Sequence, residues 1–134
     1  MVNFGAPDTI PARFAGRTFY RHNPQVTLMR TTPEEAAKIG RFIVDKLNRM
    51  DGPVRFLIPE GGVSGIDAPG KPFWDPAADK VLFDTIAGNF RGGSNRRLVR
   101  LPHNINDPAF ADALVAAFDE IAGAPASAPR ALRL

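Results

Sequence analysis

The chain contains no cysteine, no long apolar segment and only two histidines. Without cysteine, its 134 residues can form no disulfide bond, thiolate metal site or thiol nucleophile. No stretch approaches the roughly eighteen consecutive apolar residues that a transmembrane helix needs. The first residues lack the basic and apolar regions of a signal peptide, so we expect a cytoplasmic protein. The histidines and scattered aspartates lack the spacing of metal ligands, and we expect no metal site.

The positive charge of the chain comes mostly from arginine. The formal net charge is +3, and arginine outnumbers lysine by 13 to 4. The densest group comprises Arg91, Arg96, Arg97 and Arg100. Such a group is typical of a solvated loop and strand edge, or alternatively of a phosphate contact, because guanidinium groups match phosphate oxygens. Aromatic residues for base stacking are absent beside it, apart from Phe90, so we do not expect a nucleic-acid partner.

Three strand–loop–helix units follow one another along the chain. The predicted strands are Gln25–Arg30, Val54–Ile58 and Leu98–Leu101. The three predicted helices open at Thr32-Pro33, Asp75-Pro76 and Asp107-Pro108, where a capping residue precedes proline at the first helical position. Glu35, three residues after Thr32, completes the pattern of a capping box.

Strands that alternate with helices predict parallel pairing and right-handed crossovers. We therefore predict an α/β fold, a Rossmann-like three-layer sandwich with a mainly parallel sheet. Three strands make a thin sheet, so we expect the chain to be part of a larger domain. The predicted organisation is an N-terminal arm over residues 1–24 packing on the domain, an α/β domain over residues 25–123 and a flexible tail over residues 124–134.

Polar residues follow each predicted strand, at the edge where ligands bind in open α/β sheets. Small residues and one hydroxyl follow the second strand, and amide side chains follow the third. The candidate ligand-binding residues are Arg30, Thr31, Thr32, Gly62, Ser64, Asn104 and Asn106. Arginine, hydroxyls and helix amides in this arrangement favour a small anion or a phosphorylated ligand.

Two residues at this edge are candidates for catalysis. His103 follows the third strand, where an imidazole could act as acid or base, or alternatively bond a neighbouring loop. Asp67 could be a general base, or it could cap backbone amides within its own loop. Ser64 does not fit the G-x-S-x-G pattern of a nucleophile elbow, because Ile66 stands in place of the last glycine. Asp75 and Asp107 are interpreted as helix caps.

Several short motifs occur in an order that resembles a known family. They are Met1-Val2-Asn3-Phe4-Gly5, His22-Asn23-Pro24, Leu28-Met29-Arg30-Thr31-Thr32, Gly62-Val63-Ser64, Pro72-Phe73, Asp75-Pro76 and Ile105-Asn106-Asp107. Over roughly residues 1–121 the chain resembles the C-terminal portion of the uncharacterised ATP-binding family named after the tomato protein for resistance to tomato mosaic virus.

The resemblance carries its own expectations about cofactor and partners. It implies ATP with magnesium, bound in an N-terminal ATP-binding part outside this segment. It also implies a homodimer, and a partner similar to TIM-barrel phosphoenolpyruvate hydrolases, to which some fungal relatives are fused. In the tomato member, the activity that the resemblance brings is inhibition of viral RNA replication by binding the viral replication protein, and this role is not general, because most relatives look bacterial.

Two functions follow from these observations. In the first, the chain is an enzyme or ligand-binding domain with a small-anion site at the strand ends. In the second, it is a non-catalytic structural and interaction module that supports the ATP-binding part and dimerisation. The polar loops favour the first function, and the aromatic N-terminal arm favours the second.

Overall fold

The computed structural model describes residues 1–123 as a mixed α/β fold. The tail predicted over residues 124–134 lies outside the described residues. The elements are β1 (Val2–Phe4), β2 (Phe19–Asn23), β3 (Val26–Met29), α1 (Pro33–Leu47), β4 (Val54–Pro59), α2 (Pro76–Asn89), β5 (Arg96–Leu101) and α3 (Pro108–Ala122). Two short 3-10 helices, Pro7–Thr9 and Ala12–Phe14, lie between β1 and β2. The predicted Rossmann-like α/β class is confirmed.

All three helices begin at the proline that the sequence predicts. Before α1, the Thr32 hydroxyl accepts a hydrogen bond from the Glu35 N–H, and Glu35 accepts one from the Thr32 N–H, which completes the capping box. The Asp75 carboxylate caps α2 by accepting from the Ala78 N–H. Asp107 precedes α3, but its carboxylate accepts from the Asn104 N–H, so it holds the preceding loop and caps no α3 amide.

The strands form two sheets, and this differs from the single, mainly parallel sheet that we predicted. Strands β4 and β5 pair in parallel, from Val54 beside Arg96 to Pro59 beside Leu101. Strand β3 pairs antiparallel with both β1 and β2, in the order β1-β3-β2. The prediction of parallel pairing was therefore wrong for the first unit. Its strand is held by the N-terminal segment, whose two short strands occupy both of its edges.

The parallel pair is covered by helices on both faces. On one face, Val44 of α1 packs with Ile58 of β4 and with Phe83 and Ile86 of α2. On the other face, Arg55 of β4 forms an ion pair with Glu120 of α3. Alternate side chains of β4 thus face opposite layers, as the period of a strand requires. The result is three layers with the apolar core between the sheet and the α1–α2 layer.

The first 24 residues join the domain through aromatic and ionic contacts. Phe4 packs against Phe14 and Phe19, with ring centroids 5.5 and 6.5 Å apart. Arg17 donates to both carboxylate oxygens of Glu35, at 3.1 and 2.6 Å, and to the Arg30 carbonyl oxygen at 2.8 Å. The segment is thereby fixed to the start of α1. In the part of the chain that the structure describes, no helix is long and apolar enough to cross a membrane.

Candidate functional site

A buried arginine lies at the centre of the strand-end region. Arg30 follows β3 and is 7% exposed. Its Nη2 lies 2.5 Å from Asp79 Oδ1 and 3.4 Å from Asp67 Oδ1, and its Nε donates to the Phe73 carbonyl oxygen at 2.9 Å. Asp67 is fully buried and Asp79 is 4% exposed. One guanidinium group therefore joins the end of β3, the loop after β4 and the first turns of α2.

The charges of this cluster do not balance. Arg30 supplies one positive charge, whereas Asp67 and Asp79 supply two negative charges when both are ionised. Asp79 Oδ2 is buried and accepts no hydrogen bond. Burial raises the pKa of Asp79 to about 6, because the cost of desolvation exceeds the stabilisation by Arg30, and the charge of Asp67 and a hydrogen bond with its carboxyl group act in the same direction. Asp67 and Asp79 are thus two neighbouring carboxyl groups that share one guanidinium group.

The loop that follows β4, Gly61–Asp67, is closed by a side chain from the loop that follows β5. Asn104 Nδ2 lies 3.2, 3.0 and 3.1 Å from the carbonyl oxygens of Gly61, Ser64 and Asp67. Within the loop, the Asp67 carboxylate accepts from the Val63 N–H at 3.0 Å, and the Ser64 hydroxyl accepts from the Ile66 N–H at 3.3 Å. The two polar loops are one hydrogen-bonded unit.

Gly62 permits this close approach. Its φ is +119°, and a Cβ atom built there would lie 1.9 Å from the Asp67 carbonyl oxygen. Other residues neither adopt this backbone conformation readily nor fit this space. Glycine at position 62 is therefore a requirement of the loop.

A cavity of about 220 Å³ opens beside the cluster, between the end of β4 and the start of α2. It is lined by Glu60, Pro76, Asp79, Lys80, Phe83 and Arg100. At the rim, Arg100 lies 2.7 Å from Glu60 and 2.8 Å from Asp84, and Lys80 also pairs with Asp84. The rim pairs are solvent-exposed, whereas Asp79 is buried. The cavity thus combines a buried carboxyl group with cations at its mouth.

The structure brings most of the predicted site residues together. Their polar groups, however, mostly form hydrogen bonds with one another. Arg30 meets Asp67, and the Thr31 hydroxyl lies 3.4 Å from Arg30 Nη1. Gly62, Ser64 and Asn104 belong to the closed loops, as described above. The Asn106 side chain contacts Asn104 Oδ1 at 3.4 Å. Thr32 uses both its hydroxyl and its amide in the capping box.

His103 lies at the same edge, next to the loop after β4. Its carbonyl oxygen accepts from the Gly61 N–H at 2.9 Å, and the residue is partly exposed. Among residues 1–123, no group of three or more histidine, aspartate or glutamate side chains is arranged to hold a metal ion.

Sequence reasoning missed Asp79, Lys80 and Glu60 as site residues. A signal for Asp79 is present in the sequence, because it stands four residues before Phe83 on the apolar face of α2. A carboxylate on a buried helix face needs a partner or a function. The positions of Lys80 and Glu60 depend on how α2 crosses the end of β4, and no local pattern encodes that crossing.

The arginine group near β5 has structural partners. Arg96 donates to the carbonyl oxygens of Asn48 and Met50 at the end of α1, and Arg97 pairs with Glu120 of α3 at 2.5 Å. These contacts agree with the interpretation of the group as a strand edge. Only Arg100 lines the cavity.

Comparison with known proteins places this chain among longer relatives. A family described as uncharacterised protein family UPF0261, C-terminal domain, matches residues 1–122. A UPF0261 protein of Rhizobium meliloti is 59% identical over 122 residues, which are 91% of this chain and 31% of the relative. A UPF0261 protein of Mesorhizobium japonicum is 56% identical over 91% of this chain and 30% of the relative.

The similarity extends to plants. The tomato mosaic virus resistance protein Tm-1 of Solanum lycopersicum is 46% identical over 121 residues, which are 90% of this chain and 16% of that protein. The chain thus spans about a third of the length of its bacterial relatives and less of the plant protein. Because the family match covers nearly all of the described residues, the chain belongs to the uncharacterised protein family UPF0261 and corresponds to its C-terminal domain.

Proposed function

We propose that this domain binds a small anion or a phosphorylated ligand in the cavity at the carboxyl ends of β4 and β5. The observation that carries the proposal is the position of Lys80 and Arg100 at the mouth of a cavity whose floor includes the buried Asp79. Guanidinium and ammonium groups are strong donors to phosphate and carboxylate oxygens. Their present partners, Glu60 and Asp84, are about 40% exposed, so exchanging them for a ligand costs little free energy.

The other polar residues have supporting roles in this proposal. Gly62, Ser64 and Asn104 stabilise the loop that begins directly after Glu60, and Arg30 holds Asp79 through an ion pair. His103 is the group available for proton transfer, because it is partly exposed at the same edge. Asp67 is fully buried and already bonded to Arg30 and the Val63 N–H, so its role is to position the loop. ATP with magnesium belongs to the remaining part of a longer protein.

Titration calorimetry with inorganic phosphate tests the anion site. We expect saturable binding to the wild-type chain, and Arg100→Ala should weaken it about tenfold or more, because a charge-assisted hydrogen bond is lost. Arg41→Ala is the matched control, since Arg41 is an exposed arginine on α1 away from the cavity. Absence of binding, or equal weakening by both variants, would contradict the proposal.

A second candidate function is supported by an exposed apolar face on α3. Phe110 is buried in this helix, whereas Leu114, Val115, Phe118 and Ile121 are 45%, 57%, 64% and 37% exposed. Apolar side chains at this helical spacing usually cover a partner. Since the chain spans only about a third of its bacterial relatives, the partner in this proposal is the remaining, ATP-binding part of a UPF0261 protein. The chain would then support that part as an interaction module.

Binding between this chain and the remaining part of the Rhizobium meliloti relative tests the second function. We expect Phe118→Ser to weaken the association about tenfold or more, because a central aromatic contact would be lost. Phe42→Ser is the control, since Phe42 on α1 is 65% exposed, almost the same as Phe118. If Phe118→Ser leaves this association unchanged and instead abolishes self-association of the chain, the face is a dimer contact and the second candidate is wrong.

A further inference from the structure

Two buried carboxyl groups, Asp67 and Asp79, form an aspartate pair that shares one cation beside the cavity. Arg30 Nη2 lies 2.5 Å from Asp79 Oδ1 and 3.4 Å from Asp67 Oδ1. The side chains of Asp67 and Asp79 are 0% and 5% exposed, so solvent compensates little of their charge. When both are ionised, the cluster holds one negative charge more than Arg30 balances. Such a charge is unfavourable away from water, and two adjoining carboxyl groups avoid it by sharing a proton.

The hydrogen bonds of the aspartate pair place the shared proton on Asp79. Both oxygens of Asp67 already face a donor, since Oδ1 lies near Arg30 Nη2 and Oδ2 accepts from the Val63 N–H at 3.0 Å. Asp79 Oδ2 is buried and accepts no hydrogen bond from the residues that the structure describes. The two carboxyl groups are hydrogen-bonded to each other, and in that bond the protonated Asp79 donates to the Asp67 carboxylate. With the proton in place, the cluster is electrically neutral.

The other charged groups around the aspartate pair do not replace this proton. From β1, the Met1 amino group is within electrostatic range of both aspartates, but burial lowers its pKa. From α2, Lys80 pairs with Asp84, and its side chain is 74% exposed. From the ends of β4 and β5, Glu60 and Arg100 line the cavity and pair with each other. The charge of the pair is therefore set by Arg30 and by the proton.

We propose that the aspartate pair couples anion binding in the cavity to the uptake of one proton. This inference rests on the proposed anion site and specifies how that site is regulated. An anion held by Lys80 and Arg100 needs no contact with Asp79, because charges act on each other across the low-dielectric space between them. The ionised pair repels the anion, whereas the protonated pair does not. Because linked equilibria are reciprocal, the bound anion raises the affinity for the proton by the same factor as the proton raises the affinity for the anion.

The direction of the pH dependence follows from the position of Asp79. Burial raises the pKa of Asp79 to about 6, and the negative charge of a bound anion raises it further. The pair is thus protonated at pH 5 and ionised at pH 7.5, and the affinity for an anion rises as the pH falls. A further rise of about one pH unit in the bound state corresponds to about fivefold to tenfold tighter binding at pH 5 than at pH 7.5.

Titration calorimetry with sulfate at pH 5 and pH 7.5 measures this ratio, since sulfate keeps both of its charges over the whole range. Asp79→Asn imitates the protonated side chain. We expect this variant to bind sulfate at pH 7.5 about as tightly as the wild-type chain does at pH 5, and to lose most of the pH dependence. Asp112→Asn makes the same chemical change at an exposed position on α3 and should keep the wild-type pH dependence.

A second measurement needs no variant of the aspartate pair. The NMR chemical shifts of the carboxyl carbons of Asp67 and Asp79 report the protonation of the pair directly in the wild-type chain. We expect saturating sulfate to move the titration midpoint, near pH 6, upward by about one pH unit. Sodium chloride at the same ionic strength is the control, and it should not raise the midpoint.

The outcomes separate this inference from the anion site on which it rests. Equal affinity for sulfate at both pH values, a pH dependence that Asp79→Asn leaves intact, or a carboxyl midpoint that sulfate does not raise overturns the coupling and leaves the anion site standing. Absence of sulfate binding at both pH values overturns both.

Discussion

Replacing Gly62 with alanine is expected to lower the free energy of unfolding by about 3 kcal/mol or more, or to prevent folding. The added Cβ would lie 1.9 Å from the Asp67 carbonyl oxygen and 2.9 Å from Asn104 Nδ2, and the φ of +119° is itself strained for alanine. The loop would have to open, which would break the contacts that join it to Asn104. Thermal unfolding followed by circular dichroism measures the effect, and we expect a fall in Tm of about 10 °C or more.

Gly70→Ala is the matched control for this experiment. Gly70 also has a positive φ, +77°, but a Cβ built there meets no atom within 4 Å. Gly70→Ala should lower the free energy of unfolding only by the cost of the backbone strain, about 1 kcal/mol. If the two variants unfold within a few degrees of each other, the close approach at Gly62 does not stabilise the domain as the structure indicates.

Replacing Arg30 with methionine is expected to lower the free energy of unfolding by about 3–5 kcal/mol, because it leaves Asp67 and Asp79 buried without a cation. Methionine keeps much of the volume of the arginine side chain, so the lost stability is mainly electrostatic. Burial raises the pKa of Asp79 to about 6 even with Arg30 beside it, and losing Arg30 raises this pKa further, so Asp79 is protonated in the folded variant over a wider pH range than in the unfolded chain. The loss should therefore be smaller at pH 5 than at pH 7.5, as judged from urea unfolding at both values.

Two further variants identify the cause of that loss. Arg21→Met removes an exposed arginine from β2 and should change stability by less than about 0.5 kcal/mol. Adding Asp67→Asn and Asp79→Asn to Arg30→Met removes the two buried carboxylates that have lost their cation, and should recover part of the lost stability. If the triple variant is no more stable than Arg30→Met, and the loss is independent of pH, then hydrogen bonds such as that from Arg30 Nε to the Phe73 carbonyl oxygen account for it instead.

The features that could be predicted from the sequence are those set by nearby residues. A capping residue followed by proline determines where a helix starts, and the starts at Pro33, Pro76 and Pro108 were predicted correctly for this reason. The pairing of β3 was not predicted correctly, because it depends on β1 and β2. Those strands come from a segment of about twenty residues without periodicity. Strand partners are selected by long-range contacts that no short pattern encodes.

The same distinction applies to the candidate site. The sequence predicted that the loops after β4 and β5 would meet, and Asn104 joins them. It could not show which polar groups remain free, because Thr32 and Ser64 find their hydrogen-bond partners only when the chain is folded. Asp79 was missed since its partner Arg30 lies 49 residues away in the chain.

The convergence of three carbonyl oxygens on Asn104 limits which residues natural variation can place there. Aspartate has nearly the same shape, yet it would bring a carboxylate oxygen within about 3 Å of those three oxygens, where only a donor is favourable. Leucine has a similar volume but no donor, and it would leave the Gly61 and Asp67 carbonyl oxygens without the donor that Asn104 supplies, whereas the Ser64 oxygen would keep its bond from the Asp67 N–H. The constraint at position 104 is thus one of hydrogen-bond polarity, and two amide hydrogens distinguish asparagine from every residue that resembles it in size.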